Sequence, residues 1–541
     1  MLGNLDKKTG PMVSIIICTY NRPRYLSEAL ASALSQSYAN LQIIVVNDGG
    51  QDVTDIVTSY NDPRVTFINR KENRGKASSL NEALAQAQGK YVAYLDDDDL
   101  YYPHHVETLV NILEGQTDCR VAYSDLYKVY CNVMPDGSRQ VLSKVVEISR
   151  DFDRFFLLCF NHTLHVSLMH RRDLLEKTGL YNEALTTLID WDMTRRLAFF
   201  SDFHHTPEIT GEFYGPVGEC DRISVQKRKD ESKYLWNVLT IRTTRPPKPW
   251  PKIEDLSIIL LADRLNEQAA GTIGSIWRHT FYPYKLYLPL PQAHLNKLNT
   301  DMPNVVLVPV DPSASAECWI DASLEQCDSN LTAIVQSGYP VNEMWVENPL
   351  YALLNSAVSR EALEPEESTD ALWTIVVRKQ DLQDARNRFP SLHIKQSLHA
   401  AGITVRKPDF TELPFQFDHL LQRAQSAQID GNLTEAAGIF EYIAQHHQNE
   451  LWMRTQAAKA FYTIGDYTKA LQLSSEINRQ RPTVDTLLLE AKINRKSKSF
   501  SSALELLKRA EQVLVGPAYG LAAAQTHAYP PEEDYPGLLE G

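Results

Sequence analysis

Tyr91-Val92-Ala93-Tyr94-Leu95-Asp96-Asp97-Asp98-Asp99 is the stretch on which the reading of this chain turns. Five apolar residues run directly into four adjacent carboxylates. The apolar part has the length and composition of a buried strand. Four carboxylates repel one another, and at the end of a buried strand that repulsion is costly unless a positive charge sits there. Two readings are open. One is a solvated acidic turn. The other is a site for a hard divalent cation, Mg2+ or Mn2+, which takes one or two carboxylates and shares a substrate's phosphates.

The sequence on either side favours the cation. Val13-Ser14-Ile15-Ile16-Ile17-Cys18 reads as a buried parallel strand, Leu41 to Val46 as a second and Val65 to Ile68 as a third. Helical spacing over Tyr25 to Ser35 and Ala77 to Gln88 separates them. Strands alternating with helices predict a βαβ series and a parallel sheet, in which ligands bind at the carboxyl ends of the strands. Thr19, Tyr20, Asp48 and Asp96 to Asp99 all fall at such ends. No glycine loop of the Walker or dinucleotide type follows the first strand. A dehydrogenase would need one, so the pattern points instead to phosphates held by metal and to a nucleotide-sugar enzyme.

These motifs resemble the inverting family 2 glycosyltransferases of GT-A fold. The resemblance rests on Val13 to Arg22, on Val45-Val46-Asn47-Asp48-Gly49-Gly50, on Asn73-Arg74-Gly75-Lys76 with Asn81, and on Tyr94 to Asp99, in that order, and it covers about residues 11 to 240. It implies that Cys18, Thr19, Tyr20 and Asp48 hold the nucleobase and ribose. It further implies that Lys76 lies near the base or phosphates. Asp96, Asp97 and Asp98 would hold the ribose and the metal-pyrophosphate, with Asp98 the direct metal ligand. Inverting transfer needs a base to take the acceptor's proton. Leu188-Ile189-Asp190-Trp191-Asp192 is similar to the family's Glu-Asp-x-Asp segment and assigns that role to Asp190; the family's Glu is Ile189 here. The residues alone also allow Asp190 to be a helix cap, with Asp192 a favourable first-turn acid. Residues 211–231, glycine-containing and then basic, correspond to a mobile loop over the donor, with Arg222 reaching the pyrophosphate. For the lysines there, a solvated charge run is the competing reading. His162 and His165 are candidate acceptor or phosphate contacts, against the commoner role of structural histidine.

Beyond a proline-rich break at residues 243–252 the pattern returns. Leu256 to Ala262, Thr272 to Thr280, Lys285 to Leu290, Asn304 to Val308, Leu331 to Val335 and Trp373 to Leu382 echo successive elements of the first region. Gln336-Ser337-Gly338-Tyr339 replaces the acidic run, and a Pro-Leu-Pro run replaces Asp48. This predicts a degenerate, silent GT-A-like domain over 253–410, with an unrelated α/β domain as the alternative. Residues 415–515 repeat at the period of tetratricopeptide motifs. Gly431-Asn432-Leu433 matches Gly465-Asp466-Tyr467, and Ala470 matches Ala503. Such an array offers a concave face to a protein partner; a helical cap on the second domain is the other reading. Residues 516–541 are polar and expected to be disordered.

Composition narrows the function classes. At roughly 150 residues per domain, 541 residues make three or four domains, the catalytic one over 11–242. A net charge of −14 argues against a nucleic-acid partner. The seven cysteines include no CxxC pair, which argues against a zinc site or disulfide framework and for a reducing compartment. No apolar run approaches the roughly 18 residues of a membrane span, and the first residues lack a signal core, so a cytoplasmic protein without a transmembrane segment is expected. The combined expectation is a glycosyltransferase using Mn2+ or Mg2+ to move sugar from a UDP- or dTDP-sugar to a glycan or protein hydroxyl, with oligomerisation left open. A silent transferase-like scaffold is the rival. A nucleotidyltransferase is a weaker rival, because Cys18 to Arg24 lacks the glycine- and basic-rich loop that class uses.

Overall fold

The Val13 run forms the strand from which the first sheet grows. The computed structural model describes residues 10–116, 118–146, 148–217, 231–295, 304–358, 360–365, 368–369, 372–409, 416–446 and 451–515. In it, β1 (Val13–Thr19) has parallel neighbours on both sides. On one side lie β2 (Leu41–Asn47) and then β3 (Val65–Asn69); on the other lies β4 (Tyr91–Asp96). Val13, Ile15 and Ile17 face the helix Pro23–Leu34 through Leu26, Ala29 and Leu30. Ile16 joins the opposite core with Leu80 and Ala83 of the helix Lys76–Gln86. Burial on both faces is what an unbroken β-branched run requires.

The rest of this nine-stranded sheet is mixed, with antiparallel pairs alongside a long parallel pairing of its two longest strands, which corrects the simple βαβ expectation. It also contains β5 (Leu100–Tyr101), β6 (Cys119–Val133), β7 (Arg139–Val145), β8 (Leu168–Arg171) and β9 (Asp202–Pro216). The order is β3-β2-β1-β4-β8-β6-β9-β5, with β7 on β6. β8 runs antiparallel to both β4 and β6, and β7 returns on β6 as a hairpin. Part of the segment expected to be a mobile loop is strand as well, since β9 extends to Pro216. A Cβ on Gly211 would lie 2.5 Å from the Leu100 carbonyl oxygen, so this glycine is what lets β5 and β9 pair.

A second sheet repeats the first. It comprises β10 (Leu256–Leu261), β11 (Tyr284–Pro291), β12 (Val305–Val310), β13 (Leu331–Gln336), β14 (Glu361–Leu363), β15 (Thr374–Arg378) and β16 (Thr404–Arg406). Its order, β12-β11-β10-β13-β15-β14-β16, reproduces the parallel core and the antiparallel fifth strand. The register repeats too: Leu261 pairs with Gln336 as Cys18 pairs with Asp96. Gln336 therefore stands where the first sheet has its first carboxylate. The cleft at this end of the second sheet, about 450 Å³, is lined by Pro291, Pro312, His294 and Trp319, with Asp263 its one carboxylate among the described residues.

The proline-rich break is packed rather than free. Trp250 meets the Phe199 ring edge-on at 4.8 Å, and Arg195, fully buried, donates to the carbonyls of Leu158, Ile241, Arg242, Thr244 and Phe281. Burial pulls the Arg195 guanidinium down to about 10, which leaves it charged at neutral pH. One apolar core runs from Ile16 and Trp191 through Phe281 to Trp345, so the two α/β units share an interior.

Six helices follow among the described residues, in three antiparallel pairs: Gln416–Ile429 with Leu433–His446, Leu451–Thr463 with Tyr467–Gln480, and Val484–Lys496 with Phe500–Val515. Gly431, Gly465 and Lys498, all at positive φ, close the three turns. Alanines 436, 437, 457, 458, 460 and 470 are buried where the helices approach most closely. The array docks on the first sheet, not as a cap on the second. Arg481 pairs with Asp125 and donates to Ser149 Oγ at 3.0 Å, and the Tyr127 hydroxyl donates to the Pro482 carbonyl. No described helix is long and apolar enough to cross a membrane.

Arg195→Met keeps the bulk and removes the donors. Buried carbonyls left without partners cost roughly 1–3 kcal/mol each. A fall in the urea midpoint equivalent to about 3 kcal/mol or more is expected from near-ultraviolet circular dichroism, with the aromatic signal of the Phe199–Trp250 pair disappearing in the same transition.

Candidate active site

The four carboxylates of the acidic run point to different surroundings, because β4 ends in a tight turn. Asp97 and Asp98 are the turn, and the Asp99 N–H returns to the Asp96 carbonyl at 3.1 Å. Asp96 ends the strand beside Cys18 and accepts from Lys76 Nζ at 2.6 Å. Asp97 is buried; it accepts from Thr19 Oγ1 at 2.7 Å and from Arg22 at 3.3 Å. Asp98 accepts from the same Arg22 nitrogen at 2.9 Å. Asp99 accepts the Tyr214 N–H. Burial first, and then the Asp98 charge, raise the Asp97 carboxyl, against the pull of Arg22 and Thr19.

One oxygen from each of Asp96, Asp98 and Asp99 lies within 4.8 Å of the others. Three convergent carboxylates at a strand end form a donor set of the hard, anionic kind that Mg2+ and Mn2+ prefer, so the residues fit a divalent cation. Asp99 is a member that the motif resemblance leaves out. Its position in the run is visible in the sequence, but the turn that folds it back is not.

Lys76 opens its helix from Gly75, whose φ of +90° suits glycine. Burial works against its ammonium, but Asp96 outweighs that and the net shift is upward, so Lys76 remains charged. Burial pushes the Cys18 thiol up to about 12, so it stands beside Asp96 as a neutral group. Tyr20 is 48% exposed at the rim. Asp48 is buried and already engaged: it accepts the N–H groups of Arg74 and Gly75 at 2.9 and 2.8 Å and pairs with Arg70 at 2.9 Å. In this structure its work is to hold the loop that delivers Lys76. Arg222 lies outside the described residues, as do Lys227, Arg228 and Lys229.

Asp190 sits in the first turn of the helix Ile189–Leu197. Leu188, not Asp190, holds the cap position, in the left-handed region at φ 60°, a strained conformation for leucine. Asp190 accepts from Asn161 Nδ2 at 3.0 Å. Its carboxyl is raised by desolvation, partly offset by the nearby Lys76 charge, and it also feels Asp96. Asp190 thus shares an electrostatic neighbourhood with the acidic run, although 91 positions separate Asp190 from Asp99 in the chain. Asp192 is turned inward onto Arg196 at 2.6 Å, with both side chains buried. No motif in the sequence marks Asn161 as the partner of Asp190.

His162 and His165 are both buried among aromatic rings. His165 stacks on Tyr94 at 4.2 Å and its Nε2 meets the Tyr181 hydroxyl; His162 is buried between Tyr123 and Phe156. Burial lowers both to about 3, so neither offers a positive charge to phosphate at neutral pH.

The N-terminal region also matches known proteins in sequence. Residues 14–175 match the model of the family described as Glycosyl transferase family 2. The chain carries a family 2 glycosyltransferase domain at its N-terminal end. The match spans β1 to β4 with the acidic run and stops short of Asp190. Over 206 residues the chain is 35% identical to an uncharacterized glycosyltransferase of Rickettsia typhi, covering 37% of this chain and 62% of the relative. Over 199 residues it is 31% identical to one from Methanocaldococcus jannaschii, covering 36% and 65%. The chain therefore spans less than two thirds of the length of each of these relatives. Among solved structures, a Pyrobaculum calidifontis mannosyltransferase in complex with GDP-Man and Mn2+ aligns over 45% of this chain and 67% of its own, at 20% identity and a TM-score of 0.33. S. aureus TarS in complex with UDP aligns over 43% and 64%, at 19% identity and a TM-score of 0.33.

Asp48→Asn leaves one oxygen for two N–H groups and removes the ionic partner of Arg70. Charge-assisted hydrogen bonds are worth about 1.5–3 kcal/mol each. A loss of stability of about 2 kcal/mol in urea is expected, with faster amide exchange at Arg74 and Gly75.

Proposed function

We propose that this protein is a metal-dependent inverting glycosyltransferase that moves a sugar from a uracil or thymine nucleoside diphosphate to a hydroxyl of a glycan or protein. The observation that carries the reading is the convergence of Asp96, Asp98 and Asp99 at the end of β4, within a family 2 glycosyltransferase domain and beside Asp190. In this reading the catalytic domain is 11–242. Residues 253–410 are a silent companion that lacks the carboxylate set, and 415–515 are a tetratricopeptide-like array.

Asp98, with Asp96 and Asp99, would hold the divalent cation. That cation supplies positive charge at the diphosphate as it departs. Lys76 adds a fixed cation on the same side. Cys18, Thr19 and Tyr20 line the approach for the base and ribose, and Arg222 is assigned to the pyrophosphate. Asp190 takes the acceptor hydroxyl's proton on a carboxylate oxygen, while Asn161 fixes the orientation of that carboxylate. The strain at Leu188 belongs to the same positioning, since it turns the chain so that the first helical turn presents Asp190. Asp192, neutralised by Arg196 inside the core, does not reach the acceptor.

Asp98→Ala is expected to abolish transfer and Mn2+-dependent nucleotide binding in titration calorimetry; wild-type transfer in excess EDTA would refute metal dependence. A silent scaffold would give neither transfer nor nucleotide-sugar hydrolysis under any metal.

Asp190→Asn is expected to cut transfer by about 10²- to 10⁴-fold while sparing donor affinity. A base must be ionised, and desolvation raises this carboxyl, so the acid limb of kcat/KM is expected above the ordinary aspartate value of about 3.9. The native state holds that proton more tightly than the unfolded chain does, so this group's contribution to stability falls as pH rises through the shifted value. Asp190→Asn should therefore fold at least as stably as wild type at neutral pH. Normal turnover in Asp190→Asn with a dead Asp192→Asn would place the base elsewhere.

A further inference from the structure

Arg22 occupies a place that the function proposed above leaves unexplained. One of its guanidinium nitrogens reaches Asp97 at 3.3 Å and Asp98 at 2.9 Å, bridging the two turn carboxylates. Asp98 is also one of the three residues whose oxygens converge. The same carboxylate is therefore offered to a fixed cation from the protein and to a diffusible one.

The backbone holds Arg22 there. Asn21 before it adopts a left-handed conformation at φ 58°, and its side-chain oxygen accepts the Gln51 N–H at 2.9 Å. Asparagine tolerates this region better than most residues. Pro23 after it opens the helix Pro23–Leu34, and Arg22 itself is the cap residue, at φ −132° and ψ 54°. A residue before proline is steered away from the helical region. Constrained on both sides, the side chain leaves for the acidic turn with 18% of its surface exposed. Among the described residues, two other positive groups at this turn are placed differently. Lys76 serves Asp96, and Arg139 donates to the Asp98 carbonyl rather than to its carboxylate. The Asp98 carboxylate is thus matched by Arg22.

We propose that Arg22 is a displaceable counter-ion that makes cation binding depend on the donor. In the donor-free site it neutralises Asp98 and competes with the divalent ion for that carboxylate. A nucleoside diphosphate brings negative charge of its own, which gives the guanidinium an alternative to Asp98 and frees that carboxylate for the metal. Metal and diphosphate then bind as a linked pair, each raising the affinity for the other by the same factor. This inference rests on the metal-dependent reading of the site.

The test is Mn2+ binding, read from the free-ion electron paramagnetic resonance signal, with and without UDP and dTDP, for the full chain and for Arg22→Gln. The wild type is expected to bind Mn2+ weakly alone and much more tightly with nucleotide. Arg22→Gln is expected to bind Mn2+ alone about tenfold more tightly, since a repelling positive charge within a few ångströms has gone. The nucleotide's effect on Mn2+ affinity should shrink in proportion. Arg22→Lys keeps one positive charge but cannot bridge two carboxylates. It should fall between the two, and it carries the test if Arg22→Gln does not fold. Mn2+ affinity in these variants equal to or below that of wild type overturns the inference. No Mn2+ binding by wild type with or without either nucleotide overturns the metal-dependent reading beneath it.

Discussion

Four consecutive carboxylates at the open end of a buried strand must be neutralised, and much of the first domain is arranged around that requirement. Thr19 and Arg22 come from the end of β1 and the turn after it, and Lys76 from the helix that follows β3. Asp48, just past the end of β2, does not join the cluster; it ties down the loop that aims Lys76. The parallel order of β2, β1 and β4 brings these groups to one edge, because parallel strands put like ends together. The same order in the second sheet, with Gln336 and Pro291 at the matching positions, has no such charge to balance.

The second α/β unit is joined to the first by more than a linker. Arg195 projects from the helix that bears Asp190 and binds carbonyls on both sides of the junction, including that of Phe281 in the second unit. This buried cation gives its hydrogen bonds to five carbonyl dipoles, which together do the work of a carboxylate partner. The backbone of the Asp190 helix is thereby fixed from behind by the companion unit. A second unit without the carboxylate set here contributes rigidity to the helix that presents the candidate base.

The helical array meets the first sheet along the β6–β7 ribbon. Arg481 reaches Asp125, which also pairs with His205 Nε2 at 2.8 Å; the far nitrogen of His205 meets Asp151 at 2.8 Å. This polar junction is flanked by the apolar patch of Val129, Cys131, Val146 and Val513.

The sequence by itself determined the local matters: which runs are strands, where the helices between them fall, and that charge collects at strand ends. It did so because a β-branched run buried on both faces, or a residue pattern repeating at helical spacing, is a local signal. The repeated pattern after residue 255 was legible for the same reason, and the sheet order of the second unit follows it. Tertiary structure alone decided which charges meet. Asp99 turning back beside Asp96, Arg22 crossing to Asp98, Asn161 holding Asp190 and Asp192 pointing into the core all depend on how separate segments cross in space. No spacing within one segment encodes that. The mixed half of the first sheet and the packing of the proline-rich stretch escaped for a related reason: both are settled by long-range pairing and a shared interior, where the energy lies in contacts between residues far apart in the chain.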